Sequence, residues 1–454
     1  MIDTPLFPYQ IEGANWLAPK TKALLADEMG LGKTAQVITA ISQTDIQEVL
    51  VVCPAIARSV WHSEQADFAT REFKLTAMSF GTTFIPRGRK RKQAVTVNPI
   101  LSRHWPLLVI DECHMLANAA TQSTQAVYGY LAKRAQRVWC VSGTPARNHA
   151  GNLYTLLRMF GLIQMTYADF ETRYLITKQT PYGTQVLGQR RVEELRAILA
   201  PYILRRRKDD VLPQLPPITF SHVMVEAGPV DMQKYWPEID IGMTREETVM
   251  DEIERQQAAI DAVMGIVSVC GDGANALEAL QRRTTATRRY VGLQKCQAVF
   301  DTIHYELQHD AYDKIVIFCY HSDVMEDLID RFRAHYEIVS VWGATREKDR
   351  VMAEKKFQTY KRVRVFLGNI LAAGVAITLT AASECAFVEC SWVPSDNAQA
   401  AMRIHRIGQT RPVRVRMFGL AGTTDEKVTR VLKRKTKDLV DLFDAPEEID
   451  LLEE

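Results

Sequence analysis

The sequence predicts an α/β chain of two lobes, each built on a parallel sheet and carrying helical additions. Three observations predict it. The apolar run Ala23 to Ala26 leads through Asp27-Glu28-Met29-Gly30-Leu31-Gly32-Lys33-Thr34 into Ala35 to Ile41, where Val37, Ile38 and Ile41 share a helical face. Two later apolar runs, Leu107 to Ile110 and Arg137 to Val141, end in the polar clusters Asp111-Glu112-Cys113-His114 and Ser142-Gly143-Thr144-Pro145. Apolar strands then begin again at Lys314 to Tyr320, Val363 to Gly368 and Cys385 to Glu389. Apolar runs alternating with helical patterns describe parallel strands covered by helices, and such sheets bind ligands beyond the carboxyl ends of their strands.

Taken in order, a helix starts near Pro8, with Ile11, Ala14, Asn15 and Leu17 on its period. The strand–glycine turn–Gly32-Lys33-Thr34 unit that follows is the setting in which backbone N–H groups cradle phosphates. The lysine there neutralises charge and the threonine hydroxyl holds Mg²⁺. Asp27 departs from the strict loop pattern, which has glycine at that place, while Gly30 and Gly32 keep the loop free to turn. Val49 to Cys53 is a further strand. After it, Arg87 to Lys92 reads more simply as a solvated basic loop than as a DNA groove or a nuclear address. Asp111 and Glu112, directly after a buried strand, suit a Mg²⁺ ligand and a water-activating carboxylate respectively. From about Gly151 to Pro217 the pattern turns helical and then basic, through Arg205-Arg206-Arg207-Lys208, and ends in the stiff Leu212-Pro213-Gln214-Leu215-Pro216-Pro217. Val230 to Tyr290 reads as helical and polar, and Glu426 to Phe443 as an amphipathic helix. Gln399, Arg403 and Arg406 fall on one face if their stretch is a helix. Arginines so placed suit a transferring phosphoryl group or, equally, a basic solvated face.

Bulk properties narrow the class. A chain of 454 residues exceeds the roughly 250–300 that one core supports, so two or three domains are expected. A 47% hydrophobic and 24% charged composition is that of a globular chain. A formal net charge of +2 leaves any nucleic-acid affinity to local basic clusters. No apolar run reaches the roughly 18 residues of a membrane span, so no membrane partner is expected. The eight cysteines stand singly, without C-x-x-C, and read as reduced thiols of a cytosolic or nuclear protein. Trp61, Trp105, Trp342 and Trp392 read as packing residues.

With these motifs in hand, the chain resembles the Swi/Snf-type ATPases of the second helicase superfamily, from about Leu6 to Phe443. The resemblance rests on Asp27 to Thr34, Asp111 to His114, Ser142 to Asn148, Leu204 to Val211 and Arg403-Ile404-His405-Arg406-Ile407-Gly408-Gln409-Thr410. Aspartate in the first-glycine place is usual in that family. The resemblance implies two RecA-like lobes with ATP between them: lobe 1 over 1–222, with a helical protrusion at about 150–217, and lobe 2 over 223–454, with a helical insertion at about 230–290 and a C-terminal helix. It implies an ATP-driven motor tracking along double-stranded DNA as a monomer, in the cytoplasm or nucleoid, or in a nucleus. No accessory reader domain is expected. Alternatives are a fork-remodelling or annealing motor and, in another class, an ATP-gated clamp that does not move. By motif position, the nucleotide-binding set is Gln10, Asp27, Gly30, Gly32, Lys33, Thr34, Asp111 and Gln399, with Thr34 and Asp111 on Mg²⁺. Lys33, Glu112, Arg403 and Arg406 are the catalytic set, and His114, Ser142 and Thr144 couple nucleotide state to DNA. The Arg205–Lys208 segment matches the family's Arg-Arg segment, where contact with DNA competes with a role as a clamp between lobes. Cys113, Ala373, Ala376, Glu389 and Val393 differ from the residues usual in the family. Glu389 is similar to the branch containing the annealing helicases.

Overall fold

The computed structural model describes residues 6–82, 99–180, 183–228, 230, 273–373, 377–423, 425, 432 and 443. The chain divides into two compact units: Met1–Tyr174 with Arg190–Leu215 and Leu439–Pro446, and Leu175–Gln189 with Pro216–Asp438 and Glu447–Glu454.

The first unit holds β1 (Lys22–Leu25), β2 (Glu48–Cys53), β3 (Lys74–Ser79), β4 (Trp105–Asp111), β5 (Ala135–Val141) and, after a separate antiparallel hairpin of β6 (Leu175–Thr180) and β7 (Gly183–Gln189), β8 (Ile203–Leu204). Six of these form a parallel sheet in the order β3-β2-β4-β5-β1-β8. Leu107, Val109, Val49, Val51, Leu25 and Trp139 pack from the sheet against Val37, Ile38 and Ile41 of the helix Lys33–Ser42. Burial on both faces is why these strands are unbroken apolar runs. The crossover order sets β1 between β5 and β8, with β4 next to β5. The polar clusters that follow β1, β4 and β5 therefore leave the same edge of the sheet.

The second unit holds β9 (Ile218–Val225), β10 (Ile315–Cys319), β11 (Glu337–Val341), β12 (Val363–Asn369), β13 (Glu384–Phe387) and β14 (Val413–Leu420). They form a second parallel sheet, ordered β11-β12-β10-β13-β14-β9. Its period-2 alternation is visible in its two cores. Ile315, Ile317, Val365 and Leu367 face Val324, Met325 and Leu328 of the helix Ser322–Arg333, while Val316, Phe318, Phe366 and Phe387 face Phe357 and Ile404.

The strands expected at 23–26, 49–53, 107–110, 137–141, 314–320, 363–368 and 385–389 all form, as does the helix Pro8–Leu17. The stretch 151–217, expected to be helical and then basic, also contains the β6–β7 hairpin and β8. The hairpin arms carry β-branched Ile176, Thr177, Thr180, Thr184 and Val186 on either side of the turn residues Pro181-Tyr182-Gly183 but no clean alternation, and β8 is too short to show any period. The units divide at Leu215/Pro216, within the proline-rich run, and the boundary expected after residue 222 lies inside β9. Of the expected insertion at 230–290, residues 231–272 lie outside the described residues, and Gly273–Gln308 is helix. The basic run 87–92, the residues 374–376 with Ala376, and almost all of the expected terminal helix 426–443 also lie outside them. Cys53, Cys113, Cys140, Cys296, Cys319 and Cys385 are buried and unbridged.

Candidate nucleotide site

The loop after β1 turns through two left-handed glycines, Gly30 at φ 87° and Gly32 at φ 68°, which no β-carbon residue adopts cheaply. Gly32 caps the helix Lys33–Ser42, so Lys33 and Thr34 are its first two residues. Its amino end carries unpaired N–H groups and the positive pole of the helix dipole. Lys33 Nζ donates to the carbonyls of Asp27 at 2.7 Å and Glu28 at 3.1 Å. Burial lowers the Lys33 pKa, opposed by the carboxylates of Glu112, Asp27, Asp111 and Glu28. The loop after β5 presses on this turn: a β-carbon at Gly143 would stand 2.6 Å from Met29 Cγ and 3.2 Å from Lys33 Nζ.

Gln10 is buried, with Oε1 accepting the Phe7 N–H at 2.9 Å and Nε2 donating to Leu31 O at 3.3 Å. A β-carbon at position 32 would meet that Nε2 at 2.2 Å and displace the Gln10 amide, while the positive φ is what requires glycine there. Asp27 departs from its expected place among nucleotide ligands. Its carboxylate is fully buried and faces inward, bonded to Arg206 and to Gln36 Nε2. Within the Arg205–Lys208 run, the Arg206 guanidinium is turned onto this loop. Gln36 and Arg206 were missed as site residues, since the bond that joins them spans 170 residues. Glycine within the helix Pro8–Leu17, at Gly13, was the one local sign.

At the end of β4, Asp111 Oδ1 accepts the Glu112 N–H at 2.9 Å and Oδ2 accepts the indole N–H of Trp61 at 2.9 Å. Trp61 was expected only to pack. Burial, then the charge of Glu112, pushes the Asp111 carboxyl up to about 7 against the pull of Trp61 and Lys33. Glu112 holds a left-handed backbone at φ 50°, a strained conformation for a residue with a β-carbon. Its Oε2 lies 3.2 Å from His114 Nδ1, and that same nitrogen lies 2.8 Å from Ser142 Oγ. Ser142 Oγ accepts the Thr144 N–H at 3.1 Å, and the Ser142 N–H donates to Leu25 O at 3.1 Å. Glu112, His114, Ser142 and Thr144 thus form one polar chain joining the loops after β4 and β5. Cys113, the departure from the family's small residue, is buried among them without disturbing the turn.

Within the second unit, the helix expected to align Gln399, Arg403 and Arg406 spans only Pro394–Ala401. Gln399 lies on it, and the two arginines follow in an irregular turn, so the three share no helix face. The turn is pinned by Gln409, whose Nε2 reaches Ala382 O at 2.8 Å, Ile404 O at 3.1 Å and Thr380 O at 3.3 Å. Arg403 O accepts the Leu379 N–H at 2.9 Å, His405 Nε2 lies 2.7 Å from Pro216 O, and Gly408 takes φ 98°. Arg406 Nη1 donates to Thr378 Oγ1 at 3.0 Å. Burial raises the pKa of Glu354, opposed by the Thr378 N–H and by the charges of Arg406 and Arg403. The unusual Glu389 is buried, accepting the N–H groups of Tyr320 at 3.0 Å and His321 at 2.8 Å and meeting His321 Nδ1 at 2.5 Å. Despite its burial, the paired His321 holds its carboxyl below the ordinary range. Ala373 ends the short helix after β12.

Two parallel sheets, one carrying a glycine-lysine-threonine loop and an acid pair on neighbouring strand ends, define a helicase-like ATPase. The family model of the SNF2-related domain matches residues 9–270 and that of the helicase conserved C-terminal domain matches residues 295–408, and the chain belongs to the SNF2-related family. It is 29% identical over 443 residues to a SWI/SNF-related matrix-associated actin-dependent regulator of chromatin subfamily A-like protein 1 of Drosophila melanogaster, across 95% of this chain and 55% of that one. It is 24% identical over 457 residues to the DNA annealing helicase and endonuclease ZRANB3 of Mus musculus, across 96% of this chain and 40% of that one. The chain spans about half the length of the curated relatives it matches. A solved Sulfolobus solfataricus SWI2/SNF2 ATPase core in complex with dsDNA is 22% identical over 98% of both chains, at a TM-score of 0.39.

Proposed function

We propose that the chain is an ATP-dependent motor that translocates along double-stranded DNA, with Mg²⁺–ATP held by the first unit. The observation that carries this reading is the gathering of Lys33, Asp111, Glu112 and His114 on one sheet edge in a chain of the SNF2-related family. The donor set fits a magnesium nucleotide. Thr34 and Asp111 offer hard oxygen ligands, few enough that phosphates and water complete the shell. Burial and the neighbouring charge of Glu112 raise the proton affinity of the Asp111 carboxyl against the pull of Lys33, so a cation there would be welcome. The bound ion would neutralise charge on the transferring phosphoryl group.

On this reading Gly30, Gly32 and the first N–H groups of the helix Lys33–Ser42 bind the phosphates. Lys33 leaves its loop carbonyls to join them, and Gln10 meets the adenine. Glu112 takes the proton of the attacking water at its carboxylate oxygen, and its link to His114 lets Ser142 and the Thr144 loop feel that change. Arg403 and Arg406 supply positive charge in the transition state, with Gln399 beside them.

A fork-remodelling or annealing motor is the second reading, favoured by the likeness to a relative named as a DNA annealing helicase and by Glu389. The test is ATP hydrolysis without nucleic acid and with duplex DNA, single-stranded DNA, forked DNA or RNA. Stimulation by duplex supports the translocase, and a preference for forks supports the second reading. Stimulation by RNA alone overturns the DNA substrate, and no turnover at saturating DNA supports a static clamp. Glu112→Gln should reduce turnover at least a hundredfold while nucleotide still binds. Retained turnover would remove its role as base.

A further inference from the structure

The aspartate that replaces the loop's first glycine is fully buried, and a buried carboxylate must be paired and hydrogen-bonded to persist as a charge. Its partner comes from far along the chain. Arg206 Nη2 donates to Asp27 Oδ2 at 2.6 Å and Nε to Oδ1 at 3.1 Å, a two-pronged pairing that fixes direction as well as distance. The same guanidinium donates through Nη1 to the carbonyl of Tyr9 and through Nη2 to Gln36 Oε1 at 2.8 Å. Gln36 closes the ring, its Nε2 reaching Asp27 Oδ2 at 2.9 Å and Leu31 O at 3.2 Å. One side chain thereby ties together the N-terminal helix, the glycine turn and the helix Lys33–Ser42.

Two further features belong to this arrangement. A β-carbon at Gly13 would stand 1.9 Å from Gln36 Oε1 and 2.6 Å from Arg206 Nη2, so a glycine that weakens its helix is required by the approach of these two side chains. The backbone around Arg206 also runs alongside the loop: Ala26 N–H donates to Leu204 O at 2.7 Å, Glu28 N–H to Arg206 O at 3.0 Å, and Lys208 N–H to Glu28 Oε2 at 2.7 Å. Beyond it, Leu212 packs with Tyr9 and Leu31.

We propose that Arg206 is a positioning residue for the nucleotide: by neutralising Asp27 and holding the Tyr9 carbonyl, it sets the phosphate loop and the Gln10 side of the N-terminal helix in one fixed relation before ATP arrives. The link to the ligand is direct. Asp27 gives its carboxylate to Arg206 and its carbonyl to Lys33 Nζ, so a shift of Asp27 moves the lysine that meets the phosphates. This rests on reading residues 25–34 as the nucleotide site. A preformed loop lowers the cost of ordering on binding, so its loss falls on affinity more than on the chemical step.

The test uses the full chain and a fluorescent N-methylanthraniloyl ATP with Mg²⁺, alongside steady-state turnover and thermal melting. Arg206→Met should weaken nucleotide binding and raise the KM for ATP at least tenfold, with kcat at saturating ATP within about threefold. Asp27→Asn/Arg206→Met, which removes the stranded carboxylate, should bind more tightly than Arg206→Met alone. Gly13→Ala, which crowds the same two side chains without altering charge, should raise KM in the same way. Arg206→Lys, which keeps the charge but loses the fork, should fall between. If Arg206→Met does not fold, Gly13→Ala and Arg206→Lys decide. The proposal is overturned if folded variants bind nucleotide within twofold of the parent, or if kcat falls while affinity holds. The reading beneath it fails separately: in that case the parent binds no nucleotide, or Lys33→Ala binds it equally well.

Discussion

Asp111 carries the clearest pH signature in the first unit. Its carboxyl is pushed up to about 7 from an ordinary value near 3.8, by burial and then by the charge of Glu112. Between these values the native state holds a proton that the unfolded chain has released. From this group alone, stability therefore falls as pH rises through about 4 to 7. A divalent cation displaces that proton, so its stabilising effect should grow over the same range. The rise in melting temperature given by Mg²⁺–ATP should be larger at pH 8 than at pH 6, and Asp111→Asn should flatten the difference. Equal rises in the parent at both pH values would take Asp111 off the metal. Trp61 sharpens the test, since its indole N–H stabilises the ionised carboxyl at 2.9 Å. A hydrogen bond to a charged group contributes about 1.5–3 kcal/mol. Trp61→Phe, which keeps most of the packing, should therefore weaken Mg²⁺ at pH 7 by roughly tenfold. The same change at pH 8.5 should matter less.

At the scale of elements, the turn that holds Arg403 and Arg406 depends on one amide. Gln409 is buried and spans three carbonyls from two segments, while its Oε1 accepts the N–H groups of Thr410 and Arg411, each at 3.0 Å. Gln409→Ala leaves several buried polar groups without partners, each costing about 1–3 kcal/mol, so a loss of roughly 2 kcal/mol or more is expected in denaturant unfolding. Turnover should fall with it, since Arg403 O and Arg406 Nη1 are tied to Leu379 and Thr378 through the same turn. A stable variant with full turnover would show that the turn holds its shape without this side chain. The same turn marks where the sequence stops being legible. Strands announced themselves as apolar runs ending in polar clusters, because burial on both faces leaves a local pattern. Residues 402–406 keep a helical spacing, yet the contacts that end the helix come from 378–382 and 409. Arg206 has the same character. Its partners Asp27, Gln36 and Tyr9 all precede it by more than 150 residues, and only Gly13 left a local trace. Asp111, Glu112, Lys33 and Thr34 were legible because the chemistry of a phosphate loop restricts residue type at fixed spacing.

For the whole molecule, the near balance of charge makes a distinct prediction about DNA. With 56 lysines and arginines against 54 aspartates and glutamates, long-range attraction to a polyanion is weak. Affinity for a duplex must then come from local phosphate contacts, each of which releases counterions. A motor that steps along DNA must also hold every sequence about equally, so its contacts should fall on the backbone. Even four such contacts give a log–log salt slope near −3.6, or about a hundredfold weakening between 50 and 200 mM salt. Fluorescence anisotropy on two duplexes of unrelated sequence should show that steep fall for both, with dissociation constants agreeing within about threefold at each salt concentration. If, as proposed, the state of the phosphate loop reaches DNA through Glu112, His114 and Ser142, nucleotide should change the affinity of the parent but not of Lys33→Ala. A shallow salt slope with strong preference for one duplex would instead describe a base-reading protein. A nucleotide effect that survives in Lys33→Ala would mean that DNA grip is not governed by this loop.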